Sequence, residues 1–120
     1  MSPDPTPSGQ VLDLTVIDVL LDLGGPELLA ELIELFLEDA PQRMTSLEMA
    51  LHRSDAKGVR DAAHALKSSS ANLGALLLSG VCRDLEEAAL CDDLARIGQL
   101  SDGARTAFCD VDFALRRLLD

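Results

Sequence analysis

The residues best placed to do chemistry lie together in His64-Ala65-Leu66-Lys67-Ser68-Ser69-Ser70-Ala71-Asn72-Leu73-Gly74. Neutral imidazole is a nucleophile, and a lysine ammonium is a compact point charge suited to anionic oxygens. Three residues apart on a helix, the two side chains share a face. On a wheel of ~100° per residue, Val59, Ala62, Ala63, Leu66, Ser70 and Leu73 fall in one broad sector, the stripe that must be buried. His64 points ~150° away from the centre of that sector on the same geometry. Arg60 at i−4, Lys67 at i+3, Ser68 at i+4 and Ala71 at i+7 surround it. The imidazole is therefore expected in water, among small neighbours and two cations, as an accessible nucleophile and not as a core histidine. Phosphorylation is the chemistry that fits. A phosphorylated ring carries a dianion, beside which Lys67 can place its charge and to which Ser68 and Asn72 can donate hydrogen bonds.

The rest of a phosphoryl-transfer site is missing from the chain. There is no Gly-x-x-x-x-Gly-Lys-Ser/Thr loop, and no acidic loop cluster suggests a Mg²⁺ site. Phosphoryl transfer depends on alignment and charge neutralisation. This sequence supplies a nucleophile and one or two cations, so a partner must supply the remainder. Asp61-x-x-His64 has an i,i+3 spacing that could ligate a metal. Di-metal bundles, however, need two acid-x-x-His pairs facing inward, and here there is one, facing out. No metal site is expected. His52, in Leu51-His52-Arg53-Ser54, suits the C-terminal end of a helix dipole. Cys82, Cys91 and Cys109 are odd in number and lack Cys-x-x-Cys spacing, which reads as small core or boundary residues in a reducing compartment. The acidic runs Glu31, Glu34, Glu38, Asp39 and Asp84, Glu86, Glu87, Asp92, Asp93 read as solvated helix faces.

A chain of 120 residues forms one domain with its own core. Ala and Leu dominate, aromatics number three Phe with no Trp or Tyr, and nothing alternates as a β-strand, so the class is all-α. A net charge of −11 argues against nucleic acid and against anionic membrane surfaces. No apolar run reaches transmembrane length, and the Met1-Ser2-Pro3-Asp4-Pro5-Thr6-Pro7 start is not a signal peptide, so a cytoplasmic location is expected.

Residues 1–10 read as a flexible leader or linker, and 11–120 as the folded domain. A short first helix, capped by Thr15 or Asp13, ends at Gly24-Gly25-Pro26. A second helix over 26–53 carries the stripe Leu29, Leu32, Ile33, Phe36, Ala40, Met44, Leu47 and Leu51. Its apolar phase holds across Pro41, which predicts a kink and not a break. Ser54-Asp55 caps the third helix, which bears His64 and ends near Leu73-Gly74. A fourth helix spans 76–90. A fifth spans 93–119 with the seam Leu94, Ile97, Ser101, Ala104, Phe108, Val111, Leu115 and Leu118, weakened by Gly98 and Gly103. Short connections between long amphipathic helices predict an antiparallel up-down-up-down four-helix bundle with a short extra N-terminal helix. The seam closes the bundle within one chain, which predicts a monomer. Leu28 and Leu35 lie off the main stripe of the second helix. They either pack on Ile17 and Leu20 or, with Leu76 or Ala71, form an apolar docking patch.

The His64–Gly74 run resembles the histidine-phosphotransfer (HPt) domains of two-component phosphorelays. In that family a histidine, a leucine, a lysine, small residues and a later Leu-Gly recur in this order. Leu32-Ile33-Glu34-Leu35-Phe36-Leu37-Glu38-Asp39-Ala40-Pro41 and Cys82-Arg83-Asp84-Leu85-Glu86 also resemble the family, and the similarity runs over roughly 12–119. One position departs: Ser68 stands where the family usually has glycine. The resemblance implies a phosphocarrier without autonomous kinase activity, relaying a phosphoryl group between receiver-domain aspartates through His64, at its Nε2. Lys67 would stabilise the phosphate charge. Arg60, Ser68, Ala71, Asn72, Gly74, Leu35 and Leu76 would meet the partner. It implies no cofactor on this chain; Mg²⁺ would come with the receiver, and a hybrid sensor histidine kinase is a further implied partner. Two other readings are open. One is a bundle that binds a receiver or kinase without transferring phosphate. The other, the dimerisation helices of a sensor kinase, is disfavoured because nothing resembles an ATP-binding domain.

Overall fold

The computed structural model describes residues 11–120; the leader expected over 1–10 lies outside the described residues. The described residues form four helices and no strand: α1 (Leu14–His52), α2 (Ala56–Asn72), α3 (Leu76–Leu90) and α4 (Leu94–Leu119). Each helix packs on the next in the chain, and α4 returns to α1, so the expected bundle closes on itself. Connections of three residues leave consecutive helices no geometry but antiparallel.

The expected short first helix is the leading arm of α1. Within its 39 residues, Gly25 alone leaves helical dihedrals, with φ 73° and ψ −172°. That positive φ suits glycine, and Pro26 then opens the second arm, where a missing N–H costs nothing. At Pro41 the backbone keeps helical dihedrals. The kink predicted there is no break, and the cost of proline falls on the Leu37 carbonyl, which has no i+4 donor.

Aspartates start three of the helices. Asp13 accepts from the Thr15 N–H, Asp55 from the Gly58 N–H and Asp93 from the Arg96 N–H, at 2.9, 3.0 and 3.1 Å. Each satisfies an N–H that the first helical turn leaves unpaired. The core is apolar. Ile33, Phe36 and Leu47 of α1, Val59, Ala63 and Leu66 of α2, Leu78, Cys82 and Leu85 of α3, and Val111 and Leu115 of α4 are all buried. Small residues let α2 approach its neighbours closely; Ser70 fits this seam but leaves its hydroxyl without a protein partner. Arg105 of α4 holds Glu48 of α1 through two hydrogen bonds, of 2.5 and 2.7 Å, and ties the last helix to the first. The α4 seam is buried over Ile97, Ser101, Ala104, Val111 and Leu115, while Leu94 and Leu118 are exposed. Both lie at the extreme ends of α4, Leu94 as its first residue and Leu118 as its last but one.

The corner between α2 and α3 sets their register. Gly74 has φ 77°. Its carbonyl accepts from the Asp13 N–H at 2.7 Å, so the start of α1 docks there, beside buried Leu12 and Leu73. A Cβ on Gly74 would lie 2.9 Å from the Asp13 carbonyl oxygen and 3.0 Å from Val16 Cβ. Left-handed backbone costs a non-glycine residue roughly 1–2 kcal/mol before any clash. Gly74→Ala is therefore expected to lower the urea-unfolding free energy by at least about 1–2 kcal/mol; an unchanged midpoint and slope would contradict this account of the corner.

Candidate functional site

His64 stands on the outer face of α2 with 63% of its side chain exposed. The outward phase follows from the burial of Val59, Ala62, Ala63, Leu66 and Ser70 on the opposite side of the same helix. Its ring is nevertheless held. Nδ1 lies 2.8 Å from Oε2 of Glu86, on α3. The other oxygen of that carboxylate, Oε1, accepts from Lys67 Nζ at 2.6 Å. One carboxylate thus spans the two residues expected to do the chemistry. The Glu86 side chain is only 18% exposed, although it belongs to an acidic run expected to be a solvated face.

The electrostatics fix the state of each group. The Lys67 ammonium, hydrogen-bonded to Glu86, holds the Glu86 carboxyl below the ordinary glutamate range; burial opposes this, and the His64 hydrogen bond adds to the lowering. Glu86 is therefore an anion at neutral pH, and an ionised carboxylate can only accept. A neutral His64 must then carry its proton on Nδ1. Its Nε2 lone pair is left free on the solvent side, the inner nitrogen being engaged. Lys67 is steadied further, because Ser79 of α3 donates its hydroxyl to the Lys67 carbonyl at 3.1 Å. Cys82, one turn before Glu86, is a fully buried thiol pushed up to about 12 by burial, and has no thiolate chemistry.

Glu86 follows from the sequence only once the α2–α3 hairpin is folded. With the α2–α3 corner centred on Gly74, His64 lies ten residues before it and Glu86 twelve after. An antiparallel hairpin brings such pairs opposite one another. The acidic run, folded back across that corner, brings Glu86 to His64.

The other expected contact residues separate. Ser68, Ala71 and Asn72 are exposed on the His64 face of α2. Arg60 is half-buried and lies 3.9 Å from Asp61, whose carboxyl is held below its usual range first by its hydrogen bond from Lys57 at 2.8 Å. Gly74, expected among the partner-facing residues, is buried at the corner, where its backbone conformation is what matters. Leu35 is 59% exposed, so the expected packing on Ile17 and Leu20 does not cover it. It borders a groove between α1 and α2 with Leu32, Phe36, Asp39, Ser69 and Asn72. Leu76 is exposed at the start of α3. His52 is exposed in the last turn of α1, as a dipole-stabilising residue would be. Cys91 and Cys109 are exposed thiols and not core residues. Among the described residues no cluster of three or more His, Cys, Asp or Glu could hold a metal ion. No described helix is long and apolar enough to cross a membrane.

A helical bundle that presents one oriented histidine from its second helix defines the class of protein, and residues 31–120 match the Hpt domain. The chain belongs to that family. It is 34% identical over 84 residues to histidine-containing phosphotransfer protein 5 of Arabidopsis thaliana, a match covering 68% of this chain and 52% of that protein. It is 32% identical over 78 residues to sensor protein TorS of Escherichia coli (strain K12), covering 65% of this chain and 8% of TorS. The chain thus spans about half of the one relative and a small part of the other. The crystal structure of histidine-containing phosphotransfer protein B from Pseudomonas aeruginosa PAO1 superimposes with a TM-score of 0.83 at 34% identity, covering 89% of this chain and 92% of that one.

The Glu86 contact has a spectroscopic consequence. Nitrogen-15 NMR at neutral pH should show His64 with its proton on Nδ1 in the native protein, and a mixture of tautomers in Glu86→Ala. Because Lys67 lowers the Glu86 carboxyl, acidification should release Nδ1 from this carboxylate only below the ordinary glutamate range. A native His64 with its proton on Nε2 would refute the bridging geometry.

Proposed function

We propose that this domain relays a phosphoryl group between receiver-domain aspartates through Nε2 of His64. The observation that carries the reading is the division of the imidazole: Nδ1 engaged by a carboxylate, Nε2 exposed with a lysine one turn away. In the forward step the Nε2 lone pair attacks the phosphorus of a receiver's aspartyl phosphate. The P–Nε2 bond forms as the P–O bond to the aspartate breaks, and the aspartate leaves as carboxylate. The ring keeps its Nδ1 proton and becomes a phosphoimidazolium. Transfer onward reverses these bonds on a second receiver. No proton leaves the ring in either direction, so no separate base is needed. Lys67 exchanges its contact with Glu86 for the phosphoryl oxygens as the dianion arrives. Alignment of the reacting atoms falls to the partner.

The surface around His64 suits such a partner. Ser68 and Ala71 are small and exposed, and Asn72 and Leu35 border the neighbouring groove. Leu76 extends the apolar rim on the α3 side. Mg²⁺ belongs on the receiver in this scheme, and the chain acts as a phosphocarrier without kinase activity of its own. A hybrid sensor kinase bearing a receiver domain is an equivalent partner. A core closed by one chain supports a monomer, and the absence of a spanning helix among the described residues supports a cytoplasmic setting.

Incubation with a radiolabelled phospho-receiver tests the reading. Wild type should acquire acid-labile, base-stable label. His64→Gln should acquire none while keeping its helix content and melting temperature, because the side chain is exposed. Wild-type labelling of His64→Gln would remove His64 as the site; no labelling of either would favour a bundle that only binds. Lys67→Ala should still be labelled, about tenfold more slowly, the equivalent of ~1.4 kcal/mol of barrier. Equal rates would exclude Lys67 from the chemistry.

A further inference from the structure

We propose that the negative charge of Glu86, beyond its hydrogen bond, keeps the Nδ1 proton on the phosphorylated imidazole and so makes the domain a phosphoryl donor and not a store. Glu86 is then a positioning residue with an electrostatic duty in the onward step. This inference rests on phosphorylation of His64 as read above.

One carboxylate has two partners, His64 Nδ1 at 2.8 Å and Lys67 Nζ at 2.6 Å. In the free domain Lys67 neutralises Glu86, and the imidazole is an uncharged donor. A dianion on Nε2 gives Lys67 a second anion to serve. As Lys67 turns toward it, Glu86 loses its cation, and Nδ1–H remains as its partner. A carboxylate that is only 18% exposed is costly to leave unpaired. Its side chain lies in the α2–α3 seam, where its two oxygens meet His64 Nδ1 and Lys67 Nζ. The Nδ1–H bond becomes an ammonium–carboxylate type of pair, stronger than the neutral bond it replaces. The proton is thereby fixed on the ring when the ring is phosphorylated.

That proton decides how easily the phosphoryl group departs. When the P–Nε2 bond breaks from the protonated ring, the electron pair returns to Nε2 and the leaving group is neutral imidazole. Without the Nδ1 proton the leaving group would be an imidazolate anion, a far poorer one. In hydrolysis the new P–O bond forms to water, whose proton goes to solvent; the ring proton stays in place.

The other charged groups facing this ring do not replace Glu86. On α2, Asp61 is held by Lys57 at 2.8 Å and approached by Arg60 at 3.9 Å, and Lys67 is the cation that leaves. On α1, Glu38 and Asp39 line the groove beside Ser69 and Asn72, with Asp39 held by Arg43 at 3.3 Å. On α3, Arg83 lies 3.5 Å from Asp84. α4 packs on α3 and α1 across the bundle.

The test uses the full chain loaded with potassium phosphoramidate, whose P–N bond breaks with release of ammonia. Phosphohistidine decay is followed by phosphorus-31 NMR from pH 5 to 9. Wild type should decay at a constant rate up to a midpoint and more slowly above it. Glu86→Gln keeps an acceptor for Nδ1–H but removes the charge. Its midpoint should fall by roughly one to two pH units, the size of shift a neighbouring full charge produces. Above both midpoints its decay should be roughly ten- to a hundredfold slower, and at the acid end equal to wild type. Glu86→Ala should show the same displaced profile, and circular dichroism confirms that each variant is folded. A Glu86→Gln profile that overlays wild type while Glu86→Ala departs would overturn the proposal, since the hydrogen bond and not the charge would then matter. Failure of wild type to load at His64 would instead strike the underlying functional reading.

Discussion

One carboxylate, that of Glu86, joins His64 and Lys67 across the α2–α3 seam, and the site exists only while that seam keeps its register. Two contacts of under 3 Å to adjacent residues of another helix tolerate little sliding. The packing enforces this: Leu66 from α2 and Leu78, Cys82 and Leu85 from α3 are wholly buried, so a shift of one residue would expose them. Gly74 fixes where the hairpin turns, and the Asp13–Gly74 hydrogen bond pins the start of α1 onto that turn. The Ser79 hydroxyl on the Lys67 carbonyl is a second tie across the same seam. The surface chemistry is thus held in place by interior packing one layer below it.

The arrangement separates orientation from reaction. The bundle fixes the tautomer, exposes Nε2 and keeps a cation at hand. It encloses nothing, for His64 stands in solvent on a convex helix face. An exposed site of this kind suits, in the proposed relay, a substrate that is itself a folded domain. The small residues Ser68 and Ala71 beside the histidine leave room for that approach. The net charge is −11, and the helix that carries the histidine also carries Lys57, Arg60 and Lys67, which lie against Asp61 and Glu86.

Most of this was legible in the residues. The 3.6-residue period alone turned His64 outward and placed Leu66 in the core, and the Gly-Gly-Pro and Ser-Asp signals located the breaks at 25 and 55. Three features were not, for separate physical reasons. Glu86 was hidden because an acid in an acidic run on a helix looks the same whether it faces water or a neighbouring helix; only the fold of the hairpin distinguishes them. Gly74 looked like a contact residue because the family motif includes it, while its value lies in a left-handed dihedral at a crowded corner. Leu94 and Leu118 fit the α4 periodicity, yet periodicity carries no information on where the end of a helix leaves the core. Pro41 shows the converse, since a helix supported on both sides of a proline by Phe36, Ala40, Met44 and Leu47 keeps its dihedrals through it.

The account stands or falls on which nitrogen of which histidine takes the phosphoryl group. Phosphorus–nitrogen correlation NMR on nitrogen-15-labelled chain, charged by a phospho-receiver, reads this directly. A single phosphohistidine at His64 Nε2, with Nδ1 still protonated, is the predicted result. Phosphorus bonded to Nδ1 of His64, or to His52, would contradict it.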